Sequence, residues 1–202
     1  MQECYALLTN TFLKWGKELF ELDTLINDIS LNDENELATL LVLAECGNAK
    51  AQYRLAVRYK NGHGIIRDYA KALQLFHASA SNGYACAQYM LGEFYRWGQL
   101  VKLNYLIAAG WYEKAALQNH AEAQYELGWM YQNRRGVELD YEKAAYWYSK
   151  AATQNHPRAL YALGWLYENG RGVTYNKEKA AQYFQAAWQR GVVDAKIHLK
   201  RI

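Results

Sequence analysis

Trp129 and Trp165 lie 36 residues apart, and the same step backwards reaches Glu93 and Val57. Large amphipathic rings in place of a carboxylate and an aliphatic side chain bring the chemistry of recognition. They bury much area with few rotors, which makes them frequent interface anchors. Four residues before each stands a tyrosine, Tyr53, Tyr89, Tyr125 or Tyr161, constant in type and therefore equally suited to packing or to contact with a partner. Trp97 occupies a position where the other copies have Asn61, Asn133 and Asn169. In the first copy a basic stripe adjoins this set: Lys50, Arg54, Arg58 and Lys60. Lys50 and Arg54 would steer acidic groups on a partner, whereas Arg58 falls nearer the buried side. The candidate partner-binding residues are thus Trp129, Trp165, Tyr89, Tyr125, Tyr161, Trp97, Lys50 and Arg54. The partner they suit is a protein or peptide segment with acidic and hydrophobic character.

Catalytic chemistry has less to stand on. His120 and His156 share one repeat position. On neighbouring repeats they would sit about 10 Å apart, too far to share a zinc ion whose bonds to histidine are near 2 Å. His63, His77 and His198 have no companion at ligand spacing. Nucleophile elbow, phosphate loop and dinucleotide fingerprint are all missing from the sequence. The reading is therefore a non-enzymatic protein with no metal and no cofactor. A net charge of +3 with the basic residues concentrated in one segment falls short of a nucleic-acid footprint.

The elements that must hold these side chains follow from the same step. Ala51, Ala87, Ala123, Ala159 and Ala195 recur every 36 residues, and a leucine follows each four residues on: Leu55, Leu91, Leu127, Leu163 and Leu199. Tyr59, Tyr95, Tyr131 and Tyr167 come one turn later. Residues at i, i+4 and i+8 share one helical face, so these columns predict an inward-facing first helix. The columns at 50, 53, 54, 57, 60 and 61 take the opposite side, including Arg54, Met90, Glu126 and Ala162. A glycine-bearing turn follows (Gly62 and Gly64, Gly136, Gly170 and Gly172), supplying positive φ. Copy two has Leu100 at the second glycine, which predicts a differently shaped loop there. Asp68, Asn104, Asp140 and Asn176 are N-cap residues for a second helix. Gly83, Asn119, Asn155 and Gly191 close it.

Self-similarity at this period is the mark of a helical solenoid. The pattern A-x-x-x-L-G-x-x-Y, a Gly-rich turn, then D-Y-x-K-A-x-x-W-Y-x-K-A-A resembles the Sel1-like repeat family. Copy three carries it best: Ala123, Leu127, Gly128, Tyr131, Gly136, Asp140 to Ala144, Trp147-Tyr148 and Ala151-Ala152. The resemblance implies an all-α, right-handed α/α superhelical solenoid of 36-residue helix-turn-helix repeats, related to tetratricopeptide proteins. It also implies that the first helices line a concave groove, so the candidate residues face a partner there. The expected function is a protein-protein interaction scaffold or adaptor. The alternative, an immunity-type inhibitor neutralising a toxic effector enzyme, comes from bacterial members of the family. A disulfide-rich branch linked to β-lactam binding carries a cysteine pair in each repeat, which this chain lacks.

The organisation expected is four repeats at 47–82, 83–118, 119–154 and 155–190, with a C-terminal capping helix over 191–202. Residues 1–46 read as a degenerate N-terminal capping helix pair, with a helix near 3–27 that sets Leu19 opposite Leu55 and with Asn32 in the N-cap column. That segment carries two basic and nine acidic side chains, against six basic and one acidic in 47–82. Cys4, Cys46 and Cys86 do not follow the step and read as buried small hydrophobes in a reducing, cytoplasmic compartment. The N-terminus lacks the pattern of a signal peptide, and no apolar stretch suits a membrane span.

Overall fold

A computed structural model describes the backbone over residues 33–201 and side chains from Leu37 onward. The expected helix near 3–27, Leu19, Asn32 and Cys4 lie outside the described residues. The chain divides into two compact units, Met1–Tyr84 and Ala85–Ile202. The described part of the first unit holds α1 (Asp33–Glu45), α2 (Ala49–Asn61) and α3 (Tyr69–Ser81). The second holds α4 (Ala85–Trp97), α5 (Tyr105–Leu117), α6 (Ala121–Asn133), α7 (Tyr141–Thr153), α8 (Pro157–Asn169), α9 (Lys177–Gln189) and the short α10 (Ala195–Leu199). No strand occurs among the described residues.

Local chemistry sets each boundary. The side chains of Asp68, Asn104, Asp140 and Asn176 accept the backbone N–H three residues on, at 2.7–3.1 Å, and so cap α3, α5, α7 and α9. Their own N–H groups close the preceding turn on the carbonyls of Tyr59, Tyr95, Tyr131 and Tyr167. Asn48 caps α2 through its side-chain oxygen, and His120 and His156 cap α6 and α8 through Nδ1. Gly83, Asn119, Asn155 and Gly191 all have positive φ, as expected of residues that end a helix.

The turn of copy two differs from its expectation. Leu100 has φ 61°, the same left-handed conformation as Gly64, Gly136 and Gly172, so the loop keeps its backbone path despite the side chain. Gly136 and Gly172 need glycine for a second reason. A methyl group there would collide with the backbone of Tyr105 and of Tyr141, where one repeat's turn rests on the start of the previous repeat's second helix.

In the first unit Leu40, Ala44, Ala51 and Leu55 form the core, with Leu37, Leu41, Leu43, Tyr59 and Leu75 packed around it. In the second unit Ala123 and Leu127 join α5 residues Ala108, Tyr112 and Ala115, and Ala159 and Leu163 join α7 residues Ala144, Tyr148 and Ala151. The alanine column is buried as expected, and so is the leucine column except for Leu199, which is half-buried in the short last helix. The tyrosine column is only half-buried, and a lysine of the second helix lies over three of its four rings: Lys71 over Tyr59, Lys143 over Tyr131 and Lys179 over Tyr167, at 5.3–5.4 Å.

A buried glutamine column runs beside the alanines. Gln52 donates to the Ala44 carbonyl and Gln124 to the Ala116 carbonyl, both at 3.1 Å. Asn82, Gln118 and Gln154 in turn donate to Gln52, Gln88 and Gln124, each 30 residues earlier. The first helices α2 and α6 are thereby each tied to the ends of second helices on either side, with the buried amide satisfied, while Leu160 takes the glutamine's position in α8.

Within each hairpin of the second unit the helices meet at a glycine. A methyl at Gly92, Gly128 or Gly164 would lie 2.5–2.8 Å from the ring of Tyr112, Tyr148 or Phe184. Gly128→Ala therefore forces the Tyr148 ring out of place, and is expected to lower unfolding stability by about 1–3 kcal/mol. Gly110 sits on the open face of α5 with nothing near it, so Gly110→Ala is expected to raise stability by about 0.5–1 kcal/mol. Chemical denaturation checks both; changes of the same sign in the two variants would contradict this packing.

Candidate functional site

The candidate aromatic residues gather on the first helices of the second unit. Arg96 of α4 pairs with Glu126 of α6 and lies 3.8 Å from Glu93. Its guanidinium stands over two indoles, 4.8 Å from Trp97 and 4.5 Å from Trp129. Trp97 Nε1 donates to Glu93 at 3.2 Å, and the Tyr112 hydroxyl donates to the other oxygen of that carboxylate. Trp97 is 59% exposed. Glu126, which the helical wheel places on the open side, is instead only 7% exposed. The wheel does not include Arg96, which draws the carboxylate in between repeats.

Tyr89, Tyr125 and Tyr161 are half-buried packing residues. Each rests against the second-helix ring of its own repeat: Tyr112, Tyr148 and Phe184, at 5.6–5.9 Å. His120 stacks on Tyr89 and His156 on Tyr125, both at 4.8 Å. The two histidines are thus structural caps seated on aromatic faces.

The next junction is open. Trp129 and Trp165 are half-buried, and each packs against two of the core clusters. Between them lies a cavity of about 640 Å³, lined also by Tyr125, Gln132, Tyr148, Arg158, Tyr161 and Ala162, and closed by Gly191–Asp194. Gln132 and Ala162 stand 36 residues after Arg96 and Glu126. Where a salt bridge fills the earlier junction, a small side chain and an amide leave this one empty. The Tyr148 hydroxyl donates to Gln132 Oε1 at 2.6 Å.

Another 36 residues on, the same pair of positions carries Glu168 and His198. His198 Nδ1 is 2.7 Å from the Glu168 carboxylate, and its ring stacks 4.5 Å from Phe184. Its Nε2 is 3.2 Å from the Tyr161 hydroxyl. Sequence reading treated His198 as isolated. Its signal was the 30-residue separation shared with Arg96 and Glu126.

Lys50 and Arg54 lie in the first unit, half-buried, and neither is without a partner. Cys46 is exposed at the end of α1, contrary to the reading of the cysteines as buried, and neither Cys46 nor Cys86 is in a disulfide. Among the described residues no group of three or more His, Cys, Asp or Glu side chains could hold a metal ion. No described helix is long and apolar enough to cross a membrane.

The Sel1 repeat model matches residues 49–84, 87–120, 121–156 and 157–192. The chain belongs to the Sel1 repeat family. Its all-α, helix-turn-helix repeats are those of the Sel1-type solenoid. Among solved structures it is similar to a protective antigen present in uropathogenic Escherichia coli strains displaying an SLR fold, with 35% identity and a TM-score of 0.76 over 82% of this chain and 35% of that one. It is also similar to a Sel1 repeat protein from Oxalobacter formigenes, with 33% identity and a TM-score of 0.72 over 76% of this chain and 63% of that one. This chain thus spans less than two thirds of either relative. No curated protein matches it. Sel1 repeat proteins are generally protein-interaction scaffolds, and their solenoid is typically non-enzymatic.

Three groups of this Sel1 solenoid give its stability two opposite pH slopes. Burial pushes the Glu126 carboxyl up to about 7, against the pull of Arg96. A raised acid is a proton held by the folded state, so its stabilisation is full below the ordinary value of 4.5 and is lost as pH rises towards 7. Burial lowers His120 and His156 below 6.5. The folded state keeps them neutral, so stability falls as acidification charges the unfolded chain. Glu126→Gln is expected to remove a decline of up to about 3 kcal/mol between acidic and neutral pH. His120→Asn with His156→Asn, which keeps an Asn48-like cap, is expected to flatten the acid limb below 6.5. Denaturant midpoints across pH check both; unchanged slopes would contradict the burial of these groups.

Proposed function

We propose that this chain is a non-enzymatic adaptor that binds a protein segment along the first helices of its second unit, with the cavity between Trp129 and Trp165 at the centre. The observation that carries this reading is the break in the repeat. The alanine, glycine, glutamine and N-cap columns are accounted for by packing, turn geometry or capping. Here, two indoles, two tyrosine edges and an open volume come together at the surface. Aromatic rings held by a packed scaffold lose little freedom on binding, which is what makes such residues dominate interface energies.

Trp97 and Arg96 extend the surface by one repeat, giving a partner's apolar side chains a second ring to lie against. The hydrophobic character of the partner follows from these rings. The positive first helix of copy one, in the first unit, suits acidic groups on its own account, and Lys50 and Arg54 add to its potential although both have partners within the chain.

Affinity capture on the immobilised protein, followed by calorimetry with the purified partner, tests the reading. Trp129→Ala/Trp165→Ala is expected to weaken binding by about 100-fold or more. Because both rings also cover core, its melting temperature must be read alongside. Trp97 joins none of the described core clusters, so Trp97→Ala loses only its contacts with Glu93 and Arg96 and is expected to weaken binding about tenfold with a smaller fall in melting temperature than the double variant. A partner bound equally by all three proteins would place its site elsewhere.

A further inference from the structure

The three junctions of the second unit can be compared position by position. A side chain from the first helix of one repeat faces one thirty residues later, on the next first helix: Arg96 with Glu126, Gln132 with Ala162, Glu168 with His198. At the outer two junctions the later residue reaches into the gap and is bound there, Glu126 by Arg96 and His198 by Glu168 and the Tyr161 hydroxyl. At the middle junction Ala162 offers only a methyl, and the gap there opens into the cavity of about 640 Å³, room for several side chains.

We propose that this cavity is a socket for one glutamate side chain of the partner segment together with its apolar neighbours, the carboxylate supplying from outside what Glu126 supplies from within. The inference rests on the binding reading above and names the side chain that the site selects. Its apolar wall, Trp129 and Trp165, suits the methylene stem of such a residue. The polar groups at its floor decide the head group. The Oε1 of Gln132 is already taken by the Tyr148 hydroxyl, so the amide offers N–H donors and asks for an acceptor. Arg158, exposed on the same wall and without an ion pair among the described residues, adds a cation. Asp194 is the acidic lining residue and lies in the closing segment Gly191–Asp194, so it disfavours a second carboxylate on that side. One acid, held between aromatic planes and facing a donor, is the ligand that this arrangement fits.

The test is a selection of a random heptapeptide library on the full chain, followed by titration of the selected peptides as fluorescein-labelled synthetics. The expected result is enrichment of one acidic residue between apolar ones, and a loss of about tenfold when that residue is changed to glutamine in the peptide. Ala162→Glu places the chain's own carboxylate in the socket and is expected to lower affinity about tenfold or more. Gln132→Arg rebuilds the Arg96 arrangement and is expected to raise affinity several-fold, in a salt-dependent way. Gln132→Glu is expected to lower it by a similar factor, and this variant keeps the test open should Ala162→Glu disturb folding.

Peptides enriched in lysine or arginine, or acidic peptides indifferent to both Gln132 variants, would overturn the socket. If those peptides still lost binding in Trp129→Ala/Trp165→Ala, the groove reading would stand without it. Peptides that bind that double variant as well as the wild type, or no enrichment at all, would overturn both.

Discussion

The architecture of the second unit depends on the close approach of two helices at a position with no side chain. At Gly92, Gly128 and Gly164 the ring of Tyr112, Tyr148 or Phe184 lies against bare helix. With the ring pinned there, its hydroxyl can emerge only beside the first helix of its own repeat. It meets Glu93 in one case and Gln132 in the next, while Phe184 has no hydroxyl to offer. The ring's outer face supports Tyr89, Tyr125 or Tyr161, and the first two in turn seat the histidines that cap the following helices. One steric fact therefore reaches from hairpin packing to capping and to the polar floor of the candidate site.

Upon this fixed frame, the junctions differ by substitution at few positions. The frame of the second unit holds the Ala, Leu and Gly columns and closes two of its three junctions with the same glutamine relay. What changes from junction to junction is the pair thirty residues apart. Opposite charges, or a carboxylate and an imidazole, make a closed clasp; an amide and a methyl make an opening. The indoles beside the opening are held by core contacts on both sides, so the surface is set before any partner arrives. A pre-set aromatic surface binds without first paying to order itself. In a repeat protein each unit contacts only its neighbours, so one junction can be given over to recognition while the others carry stability.

The fold was largely legible because its causes are local and repeat: the N-caps at Asp68, Asn104, Asp140 and Asn176, the helix ends at Gly83, Asn119, Asn155 and Gly191, and the buried Ala51 and Leu55 columns. The site was legible only in outline. Counting substitutions against the step isolated Trp129 and Trp165, yet it could not show that Glu126 turns inward, since a single helix contains no information about Arg96 on its neighbour. The glutamines at 52, 88 and 124 recur in a repeated Ala-Gln-Tyr, but a polar residue reads as exposed until its amide is matched with a carbonyl across the gap. Leu100 misled in the opposite direction: its side chain predicts another loop, and the surrounding turn imposes the left-handed conformation regardless. The failures at Glu126 and at the glutamines concern contacts between repeats rather than within one.

The central claim is that recognition is concentrated where the junction opens, between Trp129 and Trp165. The indole N–H resonances of the assigned protein test it directly, read while the partner segment is titrated in. The account predicts that Trp129 and Trp165 move first and furthest, with Trp97 following, while Trp111, Trp147 and Trp188 on the second helices stay still. Shifts confined to Trp111, Trp147 or Trp188, with Trp129 and Trp165 unmoved at saturation, would contradict it.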